Sequence, residues 1–260
     1  MRAIPPRVDC LRIAMWSGPR NISTAMMRSF ENRPDSAVVD EPLYAAYLAA
    51  TGIDHPGRAE ILHSQNADWR AVMRDLTTAT PAPVYYQKHM CQHWLAGFPE
   101  DVADGLTNCF LIREPRRIIA SYARVRSAFV IDELGFRQQK RLFDRECDRL
   151  GEAPPVLDAA LTLQDPRGVL TRLCGRVGIP FDEGMLAWRA GPRDSDGVWA
   201  PHWYASVWQS TGFAPPPPFD TPPTLPAPLE AMCEEATTCY EAMRPYAIAA
   251  GNGGDRVTTD

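Results

Sequence analysis

Two separated segments of the chain carry residues and turns that bind anions. The first is LRIAMWSGPRNISTAMMRSF, residues 11–30, in which an apolar run is followed by a tight loop and a helical pattern. The second is NCFLIREPRRIIASYARVR, residues 108–126, in which an apolar run leads into Arg113 and a helix with Ser121. Each pattern predicts a strand whose terminal turn opens a helix, where free N–H groups and the helix dipole attract anions. Two such turns in one α/β domain predict a ligand with two phosphate-like groups.

The loop SGPRNIST, residues 17–24, differs from the common nucleotide-binding loop, which requires a Gly-Lys-Ser/Thr ending. This difference argues against an NTPase or kinase of that type. The loop still offers Arg20 as a cation, backbone amides from Asn21 to Thr24 and two hydroxyls that enter a helix. Such a set of donors binds phosphate or sulfate. The alternative is an ordinary strand–helix turn with Arg20 on the surface.

Apolar runs alternate with helical patterns along most of the chain. Strands are predicted at 11–16, 36–40, 84–87, 107–112 and 155–159. Helices are predicted at 22–31, 44–50, 68–77, from 115, and at 136–150, 165–177 and 229–249, with Asn21 or Ser23 capping the first of them. The alternation predicts a mostly parallel sheet with covered faces. Ligands gather beyond the carboxyl ends of such strands, so residues 17–24, 41, 88–89 and 113 are expected in one cleft.

The C-terminal third has a different composition. Residues 191–213 are rich in aromatic side chains, which either wall an acceptor pocket or pack a lid on the core: Trp199, His202, Trp203 and Trp208. Residues 214–228 are rich in proline and predict an extended surface arm. We predict a single domain over residues 1–250, including the aromatic and Pro-rich region 191–228, and a frayed tail over 251–260.

The two anion segments together resemble the sulfotransferases that use 3′-phosphoadenosine-5′-phosphosulfate. VVDEPLY resembles the acidic segment after the first helix in carbohydrate-type members, and LQDPRGVLTRLCGRVGIPFDEGML resembles a later helix and loop. The likeness covers roughly residues 10–190. It implies a three-layer α/β/α fold with a central, mostly parallel sheet of the P-loop NTPase-like, sulfotransferase type. It also implies adenosine 3′,5′-bisphosphate as the second product.

The resemblance assigns roles to the residues of both anion segments. Pro19, Arg20, Asn21, Ile22, Ser23 and Thr24 then face the 5′-phosphosulfate, and Arg113 with Ser121 faces the 3′-phosphate. Arg113 with Glu114 is alternatively a surface ion pair. The family loop usually has Gly where this chain has Ile22, and a Cβ there restricts the turn. Ile22 therefore favours a second hypothesis, a non-catalytic nucleotide-binding or interaction module on the same scaffold.

Sulfuryl transfer needs cations for the leaving oxygen and a base for the acceptor hydroxyl or amine. Arg20 is the first candidate cation and Lys88 the second. Glu41 and His89 are the candidate bases, with Glu41 slightly favoured because Pro42 forces it into an extended conformation. Glu41 is alternatively a carboxylate at a helix N-terminus, and His89 a hydrogen-bonded structural histidine. No metal is expected, because the sequence has no clustered carboxylates and its cysteines lack ligand spacing.

Composition limits the partners. A formal net charge of −5 provides no global basic field, so nucleic acid is not an expected ligand. No long apolar run or signal core is present, so the prediction is a cytoplasmic protein that does not cross a membrane. The expected partner is a small-molecule or carbohydrate acceptor, and the sequence gives no information on the oligomeric state.

Overall fold

The computed structural model describes residues 10–215 and 222–251. Within these residues, five strands form one sheet in the order β2-β3-β1-β4-β5, and every pairing is parallel. The strands are β1 (Leu11–Ser17), β2 (Ser36–Asp40), β3 (Val84–Met90), β4 (Thr107–Ile112) and β5 (Val156–Asp158). The prediction of a mostly parallel sheet is confirmed.

Helices connect successive strands, as parallel pairing requires. They are α1 (Ser23–Glu31), α2 (Tyr44–Thr51), α3 (Arg58–Ser64), α4 (Trp69–Thr78), α5 (Pro115–Ala123), α6 (Phe136–Leu150), α7 (Ala159–Gln164), α8 (Pro166–Val177), α9 (Ala200–Trp203), α10 (Ala205–Trp208) and α11 (Ala227–Met243). Short 3₁₀ turns cover Cys91–His93, Glu100–Gly105, Ile131–Leu134, Glu183–Leu186 and Arg244–Tyr246. None of the helices in the described part of the chain is both long and apolar enough to span a membrane.

Alternation along β1 shows how the sheet separates two helical layers. Ile13 and Met15 face one side, where they are buried with side chains of α1 and α8. Ala14 and Trp16 face the other side, where they are buried with side chains of α4 and α6. Successive side chains of a strand point to opposite faces, so each face has its own apolar core. The three-layer α/β/α prediction is confirmed.

The polar residues that begin the helices agree with the predicted helix starts at Asp68 and Asp165 and differ at α1. The Asp68 carboxylate accepts from the N–H of Arg70, and Asp165 caps α8 in the same way. Glu114 caps α5, which gives it a local role beside its ion pair with Arg117. The prediction that Asn21 or Ser23 caps α1 was wrong, because Ile22 is the N-cap residue and no side chain closes that end.

Other boundaries shift by a few residues. β3 continues to Met90, past its predicted end at residue 87, and α3 was not predicted at all. The last helix ends at Met243 and is followed by a 3₁₀ turn. Residues 222–226 form no regular element, while residues 216–221 of the proline-rich arm and 252–260 of the tail lie outside the described part of the chain. The single-domain boundary at residue 250 stays a prediction.

Candidate functional site

A cavity of about 380 Å³ lies where β1, β3 and β4 end. This volume falls within the range of about 300–1,000 Å³ that is usual for small-molecule sites. The sequence predicts eleven site residues. Ten of them line the cavity: Pro19, Arg20, Asn21, Ile22, Ser23, Thr24, Glu41, Lys88, Arg113 and Ser121. The remaining one, His89, lies outside it.

The loop before α1 has a backbone suited to anions. Arg20 and Ile22 both adopt the left-handed conformation, with φ of 57° and 44°. The first backbone hydrogen bond of α1 is donated by Met26 to the carbonyl of Ile22. Among the described residues, none accepts from the N–H groups of residues 23–25, which also line the cavity. Unpaired amides at a helix start form a concave anion site.

Ile22 holds this conformation at a cost. A β-branched residue at positive φ is a steric outlier, and such a conformation costs about 1–3 kcal/mol. The Ile22 side chain is partly buried and packs against the apolar cluster that contains Met26 and Phe30. This packing offsets the strain. The Cβ therefore restricts the turn, as expected, without removing the loop from the cavity lining.

The two anion segments are connected by side chains. The Arg20 guanidinium donates from Nε to Oγ of Ser121 over 3.0 Å, and Arg113 donates to the backbone carbonyl of Arg20 over 2.6 Å. Burial and the charge of Arg124 lower the pKa of Arg20, although a guanidinium stays protonated in proteins. The Asn21 side chain donates to the carbonyl of Leu111. Asn21 thus anchors the loop to β4.

Lys88 is fully buried in a charged cluster. Its ammonium donates to Asp40 over 2.8 Å, to Glu41 over 2.6 Å and to the hydroxyl of Tyr204 over 2.6 Å. Burial alone would lower the pKa of Lys88, but the two carboxylates raise it above its ordinary value. An ammonium has three N–H donors, and all of them are used within the chain.

Glu41 directly follows β2, where its backbone turns left-handed with φ of 39°, so the expectation of an extended conformation before Pro42 was wrong. The N–H of Glu41 donates to the Lys88 carbonyl. The Glu41 carbonyl accepts from the N–H of Tyr44 and from the Gln65 side chain, and these bonds hold the turn. Within the described residues, only Oε1 of the carboxylate accepts hydrogen bonds. Burial raises the pKa of Glu41, Asp40 adds to this effect and Lys88 opposes it. The carboxylate therefore has a free oxygen and an increased affinity for a proton.

The structure corrects the expectation for His89. Because β3 continues to Met90, Lys88 and His89 are adjacent strand residues and point to opposite faces. The His89 ring stacks on Trp16 at 4.3 Å and bonds to Gln87 inside the core. Burial lowers its pKa to about 3. His89 is a structural histidine and does not reach the cavity.

Several residues that line the cavity were not among the site residues predicted from the sequence. Tyr204 and His93 are two of them. The His93 ring lies in the lining and stacks on Tyr44, whose hydroxyl bonds to His55. A polar ring directly after a long strand is the signal that would have favoured His93. Tyr204 and His55 offer no comparable pattern, because they come from distant irregular segments.

The aromatic residues of 191–213 divide between the two alternatives. Trp203 lines the cavity. Trp199 is buried beside Tyr44 and donates to the Tyr204 hydroxyl, while Trp208 donates to Asp196. His202 is exposed. Most of the aromatic side chains of this segment therefore pack within the fold, and a small part of the segment faces the cavity.

The lining meets the chemical needs of a nucleotide with two anionic groups. It has the unpaired amides of residues 23–25 on one side and Arg113 with Ser121 on the other. Within residues 10–215 and 222–251, no group of three or more His, Cys, Asp or Glu side chains is arranged to hold a metal ion.

A family model for a sulfotransferase domain matches residues 11–247. The chain therefore belongs to the sulfotransferase family. Membership and fold together support sulfotransferase-type chemistry, that of a transferase.

Two proteins of Arabidopsis thaliana are related in sequence. Branched-chain-amino-acid aminotransferase-like protein 1 is 38% identical over 235 residues, which are 90% of this chain and 42% of that protein. Branched-chain-amino-acid aminotransferase-like protein 2 is 36% identical over 234 residues, 89% of this chain and 41% of that protein. The chain thus spans less than half the length of these relatives.

Solved structures share the fold at low sequence identity. The sulfotransferase domain of the Synechococcus PCC 7002 olefin synthase superposes with a TM-score of 0.53 at 17% identity, covering 88% of this chain and 94% of that one. A sulfotransferase from Alicyclobacillus acidocaldarius gives a TM-score of 0.52 at 13% identity, covering 92% and 98%. At these identities the likeness concerns the fold alone.

Proposed function

We propose that the protein transfers a sulfuryl group from 3′-phosphoadenosine-5′-phosphosulfate to a hydroxyl or amine of a small-molecule or carbohydrate acceptor. One observation carries this proposal. A buried carboxylate with an open oxygen, Glu41, shares a single cavity with an uncapped helix start and two arginines. The first feature takes a proton from an acceptor, and the second neutralises charge on an anionic donor.

The donor side of the site consists of the loop and α5. The amides of residues 23–25 and the guanidinium of Arg20 receive the 5′ group, while Arg113 and Ser121 receive the 3′-phosphate. When bound, the donor supplies a sulfuryl group that leaves a phosphate oxygen for the acceptor oxygen or nitrogen. Arg20 stabilises the charge that collects on the bridging oxygen, and the helix start stabilises the charge spread over the equatorial oxygens.

Glu41 is the proposed base. Its open oxygen accepts the proton of the attacking hydroxyl or amine as the new S–O or S–N bond forms. Lys88 does not serve as the second cation, because its three donors are engaged with Asp40, Glu41 and Tyr204. We therefore assign Lys88 to the support of Glu41 and leave His89 out of the site.

The acceptor side is lined by rings and aliphatic groups. Tyr44, His93 and Trp203 lie there together with Val207 and Phe213. Burial, with smaller contributions from His55, Lys88 and His89, lowers the pKa of His93, so the ring adds no positive charge at neutral pH. Apolar walls of this kind bind the ring face or hydrocarbon body of an acceptor.

Calorimetry with adenosine 3′,5′-bisphosphate tests the donor site before any acceptor is known. We expect micromolar binding by the wild type. Arg113→Ala should weaken it about 10- to 150-fold, which corresponds to the 1.5–3 kcal/mol of a hydrogen bond to a charged group. Arg117→Ala, in α5 just after Arg113 but not in the described lining, is the matched control. No binding by the wild type would refute the donor assignment.

An acceptor screen then separates catalysis from binding alone. Turnover by the wild type, lost in Glu41→Gln while bisphosphate binding persists, supports the transferase. Binding without turnover across neutral hydroxyl and amine acceptors would favour the non-catalytic module, for which the strained Ile22 in the donor loop is the supporting observation.

A further inference from the structure

The charged cluster behind Glu41 contains one ammonium and two carboxylates. Lys88 donates to Asp40 over 2.8 Å and to Glu41 over 2.6 Å, and all three side chains are buried. One positive charge cannot neutralise two negative charges, so the cluster holds an excess negative charge in a poorly solvated place. Such a cluster gains free energy when one carboxylate takes up a proton.

The hydrogen bonds are divided unequally between the two carboxylates. Asp40 accepts from Lys88, from the Tyr204 hydroxyl over 2.7 Å and from the N–H of Gly197 over 3.2 Å. Trp199 and Lys88 both donate to the Tyr204 oxygen, so its single proton is directed to Asp40. The main bond to Glu41 comes from Lys88, and Tyr204 lies farther away, at 3.5 Å. The proton-accepting member is therefore Glu41.

We propose that Asp40 and Tyr204 are positioning residues that keep Lys88 from neutralising Glu41, so that Glu41 remains a proton acceptor facing the cavity. The catalytic role of Glu41 as proton acceptor rests on the proposed function, but the arrangement of charges around it can be tested without any substrate. It assigns a role to the segment around Tyr204, which the donor-binding residues do not contact in the described structure. Gly197, Trp199 and Tyr204 reach Asp40 directly or through one another.

Other groups around Glu41 do not supply the same effect. Tyr44 on α2 and Tyr122 on α5 are neutral, because burial and nearby negative charge raise the pKa of each phenol. His93 is neutral in the same lining. Arg20 and Arg113 share the cavity, where Arg20 donates to Ser121 and Arg113 donates to the Arg20 carbonyl. Asp40 is thus the neighbouring charge that opposes Lys88.

Carbon-13 NMR of the protein labelled at glutamate side-chain carboxyls measures the pKa of Glu41 directly, and Glu41→Gln identifies its resonance. In the wild type we expect a value above the ordinary 4.5. Asp40→Asn removes the carboxylate that shares Lys88 with Glu41. Lys88 then pairs with Glu41 alone, so the pKa of Glu41 should fall by about 1–3 units. Tyr204→Phe removes the hydroxyl that competes with Glu41 for Lys88, so the pKa of Glu41 should fall here too, by less than in Asp40→Asn.

Controls keep the outcomes distinct. Tyr240→Phe removes a hydroxyl that bonds to Asp158, outside the cavity lining, and should leave the Glu41 titration unchanged. An ordinary value in the wild type, or an unchanged value in either Asp40→Asn or Tyr204→Phe, would overturn the inference. If Asp40→Asn does not fold, Tyr204→Phe decides alone. A failed acceptor screen with the expected titrations would refute the proposed reaction and leave this arrangement standing.

Discussion

Arg20 and Ser121 are joined by a hydrogen bond of 3.0 Å from the guanidinium Nε to the hydroxyl Oγ. Arg20 belongs to the loop before α1, and Ser121 lies on α5, the helix that follows β4. The bond therefore links the two segments that each provide one anion-binding turn. It fixes the distance between the turns before any ligand is present, which reduces the ordering cost of binding.

Loss of the Ser121 hydroxyl tests this link. Ser121→Ala should weaken adenosine 3′,5′-bisphosphate binding about two- to tenfold, the value of one ordinary hydrogen bond. Calorimetry provides the measurement, and Ser127→Ala, exposed beyond the end of α5, is the control. Equal affinities for the wild type and Ser121→Ala would mean that Arg20 is positioned by its backbone alone.

Removal of Lys88 should reveal the cost of the buried charges. Lys88→Met leaves Asp40 and Glu41 without their cation, so we expect a loss of about 3–5 kcal/mol in the free energy of unfolding. Urea denaturation measures it. Lys140→Met is a suitable comparison, because its ion pair with Asp144 is exposed and such pairs contribute less than about 1 kcal/mol. Similar losses in both variants would contradict a special role for the buried cluster.

The left-handed conformation of Ile22 predicts an unusual order of stability. Ile22→Gly and Ile22→Ala both remove the packed side chain, but only alanine retains the steric cost of positive φ. The glycine variant should therefore be more stable than the alanine variant by about 1 kcal/mol. Urea midpoints at a constant m-value check this order. The reverse order would show that the loop relaxes once the side chain is gone.

His89 should make the free energy of unfolding depend on pH in the acidic range. Its pKa is about 3 in the folded protein, against an ordinary 6.5. Between these values the unfolded chain binds the proton and the folded chain does not, so stability falls as the pH decreases from 6.5 to 3, by up to about 1.4 kcal/mol per pH unit. His89→Gln should have a shallower slope than the wild type in urea titrations over that range. Burial also lowers the pKa of His55 and His93. The contribution of His89 is therefore the difference in slope between the wild type and His89→Gln. Parallel slopes would contradict the buried neutral state.

The segment that carries Tyr204 is fastened to α1 by a buried ion pair. Arg28 donates to Asp196, whose second oxygen accepts from Trp208 and from the N–H of Arg193. Asp196→Ala removes all of these bonds, so hydrogen exchange measured by mass spectrometry should accelerate across residues 193–208. Asp194→Ala, at an exposed position, should not change it. Unchanged protection in Asp196→Ala would mean that aromatic packing alone holds the segment.

The sequence predicted the sheet and the anion loop because their signals are local. Apolar runs, Asp68 and Asp165 at helix starts, and the spacing of Arg113 to Ser121 can each be read within one segment. His89 lies outside the cavity because β3 continues three residues past its predicted end, which points Lys88 and His89 to opposite faces. No local signal marks the end of that strand. Asp40 and Tyr204 were missed as partners because they are 164 residues apart. Their contact depends on the assembled fold.

That separation has a consequence for synthesis on the ribosome. The sheet strands that carry Asp40 and Lys88 leave the exit tunnel long before Tyr204 does. Until then the nascent domain contains a cluster of three charges that lacks one of its hydrogen-bonding members. The candidate base thus acquires its final surroundings only after residue 204 has been synthesised, and premature chains that stop before that residue should be substrates for quality control rather than partly active proteins.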